Sequence, residues 1–158
     1  MSNHKQPDRD DGPQTDGDLT DMLGELRVLL PGAQTLTAFL IILPFNSAFA
    51  KIQESEQLVY VITFICSILS LVLFTAPAAQ HRLERPLRNR ERFKTVATRF
   101  MIAGLVPLSI ALVLVTQLVL SEVMTAPWMS WSIAGALAVI IVMLWWITPL
   151  WHKGQHGA

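Results

Sequence analysis

The sequence predicts an all-α fold: a four-helix transmembrane bundle preceded by an N-terminal amphipathic interfacial helix. Three observations predict it. Four runs contain no Asp, Glu, Lys or Arg, at 32–50, 57–80, 100–121 and 128–151, and they hold 19, 24, 22 and 24 residues. A helix needs about 20 mainly apolar residues to cross the ~30 Å hydrocarbon core. The chain is 52% hydrophobic and only 15% charged, whereas soluble domains are usually about 25% charged. The charges are also segregated. The stretch "HRLERPLRNRERFK", residues 81–94, holds six of the twelve Lys and Arg in a chain of zero formal net charge.

Residues 1–17 are polar and acidic, with Pro7, Gly12, Pro13 and Gly17. Such a segment buries too little apolar surface to offset its ordering entropy, so a disordered tail is expected. Over 18–30, Leu19, Met22, Leu23, Leu26, Leu29 and Leu30 follow helical spacing, with Asp18 as N-cap and Asp21 in the first turn. Pro31-Gly32 then interrupts the pattern. The expectation is a short helix on the membrane surface, hinged onto the first span. Glu25 and Arg27 keep this segment out of the hydrocarbon, where ionised groups are costly. Ser47-Ala48-Phe49-Ala50 has the form of a signal cleavage site, but residues 1–27 carry seven acids against three bases. A signal peptide has a positive leader, so the first run reads as a span.

The four spans and their connections make one membrane domain, 18–151, followed by a short tail at 152–158. The connections decide orientation. Residues 51–56 hold one base and 122–127 hold none, while 81–99 hold seven: Arg82, Arg85, Arg88, Arg90, Arg92, Lys94 and Arg99. With both termini on the side of the long loop, eleven Lys and Arg fall on that side and one on the other. Cytoplasmic loops are the ones enriched in Lys and Arg. A multi-pass membrane protein with the long loop and both termini cytoplasmic is therefore expected.

The same seven bases, with Arg27, are the expected contacts for anionic lipid headgroups, at about 1 kcal/mol per Lys or Arg near the surface. Nucleic acid is not an expected partner. Phe93 is the one aromatic in 81–94, which gives no stacking platform, and Glu84 and Glu91 interrupt the charge. Pro86 ends one helix, and Phe93, Val96, Ala97 and Phe100 run at helical spacing into the third span, which should project about two turns beyond the membrane. In the fourth, Trp128 and Trp131 stand near one end and Trp145, Trp146 and Trp151 near the other. Trp131 and Trp151 are 20 residues apart, or about 30 Å of helix, which suits the two interfaces.

The polar groups within the runs are uncharged. Their expected role is hydrogen bonding between and within helices, typically about 0.6 kcal/mol each. Ala134, Gly135, Ala136 and Ala138 offer the fourth span a face for close packing. Pro44, Pro77, Pro107 and Pro149 each remove a backbone donor and free the carbonyl four residues back, such as Leu40 or Ala103. Freed carbonyls coordinate cations in transporters, but neighbouring groups also satisfy them in inert bundles. Cys66 is the one cysteine and reads as a small packing residue. His81 and His152 close the second and fourth spans, where headgroup contact is the expected role. No metal or cofactor is expected, and no P-loop, G-x-G-x-x-G, G-x-S-x-G, H-E-x-x-H or paired-Cys motif is present. Enzymatic function is not expected.

At "ELRVLLPGAQ" (25–34), "LPF" (43–45), "APAAQHR" (76–82) and "RFMIAGL" (99–105) the sequence resembles a family of small actinobacterial membrane proteins with a domain of unknown function. The resemblance spans roughly 18–150. It implies four helices and no established activity, and some relatives carry automated sodium:proton antiporter labels. It draws attention to Glu25, Arg27, Pro31, Gly32, Gln34, Pro44, Pro77, His81, Arg82 and Gly104 without giving them a chemical role. Of these, Glu25, Arg27, Gln34, His81 and Arg82 form the candidate functional cluster. The antiporter label meets a physical difficulty, because ion-coupled carriers usually hold a titratable group within the membrane and the four runs hold no carboxylate. The reading favoured by the sequence is a non-enzymatic protein that associates with lipid, with itself or with a membrane partner. The alternative is a small oligomeric cation or proton transporter.

Overall fold

The computed structural model describes residues 12–47, 49, 53–83, 90–124 and 126–148, with side-chain surroundings left aside at 12–23, 81–83 and 90–94. Four helices account for nearly all of these: α1 (Gly12–Ile42), α2 (Glu54–Leu83), α3 (Arg90–Val123) and α4 (Pro127–Ile141). Each forms all or most of a helical segment long and apolar enough to span a membrane: Gly24–Phe45, Glu54–Gln80, Thr95–Val123 and Pro127–Ile147. No strand occurs among the described residues.

Local chemistry explains most of the helix ends. Pro44 lies in the short 3₁₀ turn Leu43–Phe45 that ends α1, closed by the Asn46 amide donating to the Leu43 carbonyl at 3.1 Å. Glu54 and Glu56 sit in the first turn of α2, where the exposed N–H dipoles favour negative charge. Pro127 opens α4 at a position whose N–H would have no partner. The chain continues from α4 through a π-helical segment, Val142–Ile147, in which the Thr148 hydroxyl donates to the Met143 carbonyl at 2.8 Å. Nothing in the apolar pattern of 128–151 announces that change of pitch.

Two expectations need correction. First, α1 does not break at Pro31-Gly32. It runs through Pro31 as one helix, so residues 18–30 continue the helix of the first span, whose spanning segment begins at Gly24, rather than hinge from it. Proline is tolerated inside membrane helices because one missing N–H leaves the rest of the ladder intact. Second, the helix begins at Gly12, not Asp18, so 12–17 are helical rather than part of a disordered tail. At 31 residues, α1 is about 46 Å long, longer than a single crossing requires. The extension expected for the third span is present: α3 begins at Arg90, ten residues before Phe100.

The packing is sequential. α2 and α3 form the most extensive pair, α1 lies mainly against α2 with a smaller contact to α3, and α4 lies against α3. Among the described residues, α4 packs against neither α1 nor α2. The core is built from Leu26 and Ala33 of α1, Phe74 of α2, and Ala97, Met101 and Leu108 of α3, with Trp145 of the π segment packed on it. The small alanines bring helix backbones close, which supplies the van der Waals contact that drives helix association in lipid. Gly104 has the same purpose at its tightest. A Cβ placed there would fall 2.6 Å from Phe74 Cε1, so the fully buried Phe74 ring occupies the space that a side chain would need.

Candidate functional site

The interior of the bundle carries a set of buried polar side chains: Thr37 of α1, Thr63, Ser67 and Ser70 of α2, Gln117 of α3 and Ser130 of α4. Most are satisfied locally. Thr63 donates to Val59 at 2.6 Å, Ser70 to Ser67 at 2.8 Å and Ser130 to Pro127 at 2.8 Å, each to a backbone carbonyl of its own helix. One bond joins two helices through side chains: Thr37 Oγ1 and Ser67 Oγ lie 2.6 Å apart. Thr37 already donates its hydroxyl proton to the Ala33 carbonyl at 2.8 Å. A hydroxyl has one proton to give, so Ser67 is the donor in the interhelical bond. Gln117 differs. Its Oε1 is buried and has no hydrogen-bond partner among the described residues.

A second interhelical bond answers a question raised by the prolines. Tyr60 of α2 donates its hydroxyl to the Leu40 carbonyl of α1 at 2.9 Å. Leu40 lies four residues before Pro44, so this carbonyl is one that proline left without its usual donor. Tyr60 is held from two sides: Phe49 meets it edge-on, with centroids 4.9 Å apart, and Phe64 stacks parallel to it at 6.1 Å. The freed carbonyl is thus closed off by a neighbouring helix.

The proposed functional residues fall in three places. Glu25 and Arg27 are exposed, beside the buried Leu26. Gln34 is also exposed, on the outer side of α1. It stands nine residues from Glu25, about 13 Å along the axis, so these two are not neighbours in one cluster. His81 and Arg82 stand near the end of α2, with side chains outside those described. The basic series divides likewise. Arg90, Arg92 and Lys94 begin α3, Arg99 is exposed, and Arg85 and Arg88 lie outside the described residues. Among the described residues no ion pair joins Glu25 to Arg99. His152, Trp151 and Pro149 are also outside the described residues. Among the described residues no group of His, Cys, Asp and Glu is gathered as a metal site.

In span 4, Ala134 is buried and Ala138 half-buried, whereas Gly135 and Ala136 face outward with Ser132. The small-residue face therefore divides between the contact with α3 and the exterior. Trp128 and Trp131 are exposed, and Trp145 and Trp146 are half-buried.

Four apolar helices of spanning length, with an aliphatic exterior and hydroxyls bonded to helix carbonyls, define a multi-pass membrane protein of the all-α class. The chain matches a family of unknown function, DUF6328, over residues 10–149, and it belongs to that family. No curated protein and no solved structure matches it.

Proposed function

We propose that the protein is a non-enzymatic accessory or structural component of the bacterial cytoplasmic membrane, with both termini cytoplasmic, that works by associating with lipid, with a second copy or with a membrane-protein partner. Gln34 carries this reading. Its amide faces out of the bundle from within the span Gly24–Phe45, seven residues beyond Arg27 and so about 10 Å deeper along the helix. It makes no hydrogen bond among the described residues. A polar group facing hydrocarbon is costly, and such amides join helices by hydrogen bonding across them. The sparse burial of the two outer helices supports the same reading, since only 17% of the α1 span and of the α4 span is buried.

The test is association in mild detergent, followed by cross-linking and co-purification of the full chain. Gln34→Leu should abolish a specific complex, Gln34→Asn should retain it, and Ala103→Leu, on the exposed side of α3, should leave it unchanged. A complex unaffected by Gln34→Leu would count against the reading.

A second reading, a small oligomeric cation or proton transporter, has one observation in its favour: the buried Gln117 Oε1 without a donor, an acceptor of the kind that coordinates cations. The closure of the Leu40 carbonyl by Tyr60 weighs against it. Reconstituted protein should not dissipate a pH gradient on adding sodium, and dissipation would favour the transporter.

A further inference from the structure

A cavity of about 270 Å³ lies between the end of α1, Phe49 and the end of α3. Its walls include Phe39 and Leu43 from the end of α1, Phe49 from the connection, and Leu118 and Val119 from α3. Glu122, one turn beyond Leu118, supplies a carboxylate to the lining. Among the described residues, no base is ion-paired with it.

We propose that this cavity binds an organic cation: an ammonium group joined to an apolar body. Three features select that chemistry. The carboxylate attracts positive charge and repels anions. The lining holds two phenyl rings, groups whose faces attract an ammonium within about 6 Å of their centres. The aliphatic walls receive the apolar body, as in ligand sites that are mostly apolar with a few placed polar groups. The site is also braced. Phe49 packs edge-on against Tyr60 at 4.9 Å, and Tyr60 holds the Leu40 carbonyl, one residue after Phe39. The Phe49 ring is therefore tied to the α1–α2 interface. This inference stands apart from the association proposed for Gln34, which is on α1 nine residues before Leu43.

The test uses the full chain in dodecyl maltoside, a neutral detergent without an ammonium group, with empty micelles as the blank. The probe is benzyltrimethylammonium, and its uncharged carbon isostere, neopentylbenzene, is the control. Ligand-observed NMR titration should show saturable binding of the cation above the blank and weaker binding of the isostere. Glu122→Gln should weaken the cation about fivefold, the loss expected for about 1 kcal/mol from a partly exposed ion pair, and leave the isostere unchanged. Val119→Trp should fill the cavity and abolish both. Glu122 and Val119 are exposed, and a thermal melt of each variant confirms that the bundle is intact. Added phosphatidylethanolamine distinguishes the natural source: displacement of the probe identifies a lipid headgroup, and persistence identifies a free amine. Cation binding no greater than the blank, or equal in the native chain and Glu122→Gln, would overturn the proposal.

Discussion

The Tyr60 hydroxyl donates to the Leu40 carbonyl at 2.9 Å, so a side chain of α2 substitutes for the backbone donor that Pro44 removed from α1. A hydrogen bond of this kind contributes on the order of 1 kcal/mol. Tyr60→Phe should lower unfolding free energy in detergent by about that amount. In a Pro44→Ala background, a backbone N–H is again available to Leu40, and the same Tyr60→Phe change should cost less. Equal costs in the two backgrounds would show that the bond does not compensate the proline.

Gly104 and Phe74 give the sharpest steric prediction. Gly104→Ala would place a methyl 2.6 Å from the Phe74 ring, and the buried ring or the helices that hold it must shift to admit it. Overpacking typically costs about 1–3 kcal/mol. The melting temperature should fall, and Phe74→Leu should restore part of the loss in the Gly104→Ala chain while destabilising the native one.

Thr37 and Ser67 should be energetically coupled. Thr37→Val and Ser67→Ala should each cost about 0.6 kcal/mol, and the double variant less than the sum. Additive losses in denaturation would mean that the 2.6 Å contact contributes nothing of its own.

The eleven-to-one division of basic residues predicts cytoplasmic termini. In a Cys66→Ala background, a membrane-impermeant thiol reagent applied to intact cells should label Gln53→Cys and spare Asn89→Cys. The reverse pattern would invert the orientation.

Much of this fold is legible in the sequence because lipid punishes charge so heavily. The four charge-free runs locate the four helices, and Pro44 announces a freed carbonyl at Leu40. What answers that carbonyl is not legible. Tyr60 lies twenty residues away, and only the packing of α1 on α2 brings it there. Gly104 draws attention within "RFMIAGL", but its reason is the Phe74 ring on another helix. Pro31-Gly32 misleads, because turn chemistry that would end a helix in water is overridden within a long apolar helix. Glu122 reads as an acid at a span edge. Its cavity depends on α1, Phe49 and α3 meeting around it, which no local pattern encodes.

The sequential packing of the helices bears on how the chain assembles. Each helix after α1 packs on the one made just before it, with α1 against α3 the only contact that skips a neighbour among the described helices. Chains emerge N-terminus first, and pairings between close segments form with little loop-closure cost. The bundle can therefore be completed by adding one span at a time during synthesis, without holding an early helix open for a late one. α4 is the last to arrive and is anchored by α3, with Trp145 packed on the finished core. A chain halted before α4 would already contain the three helices that contribute the buried residues of that core.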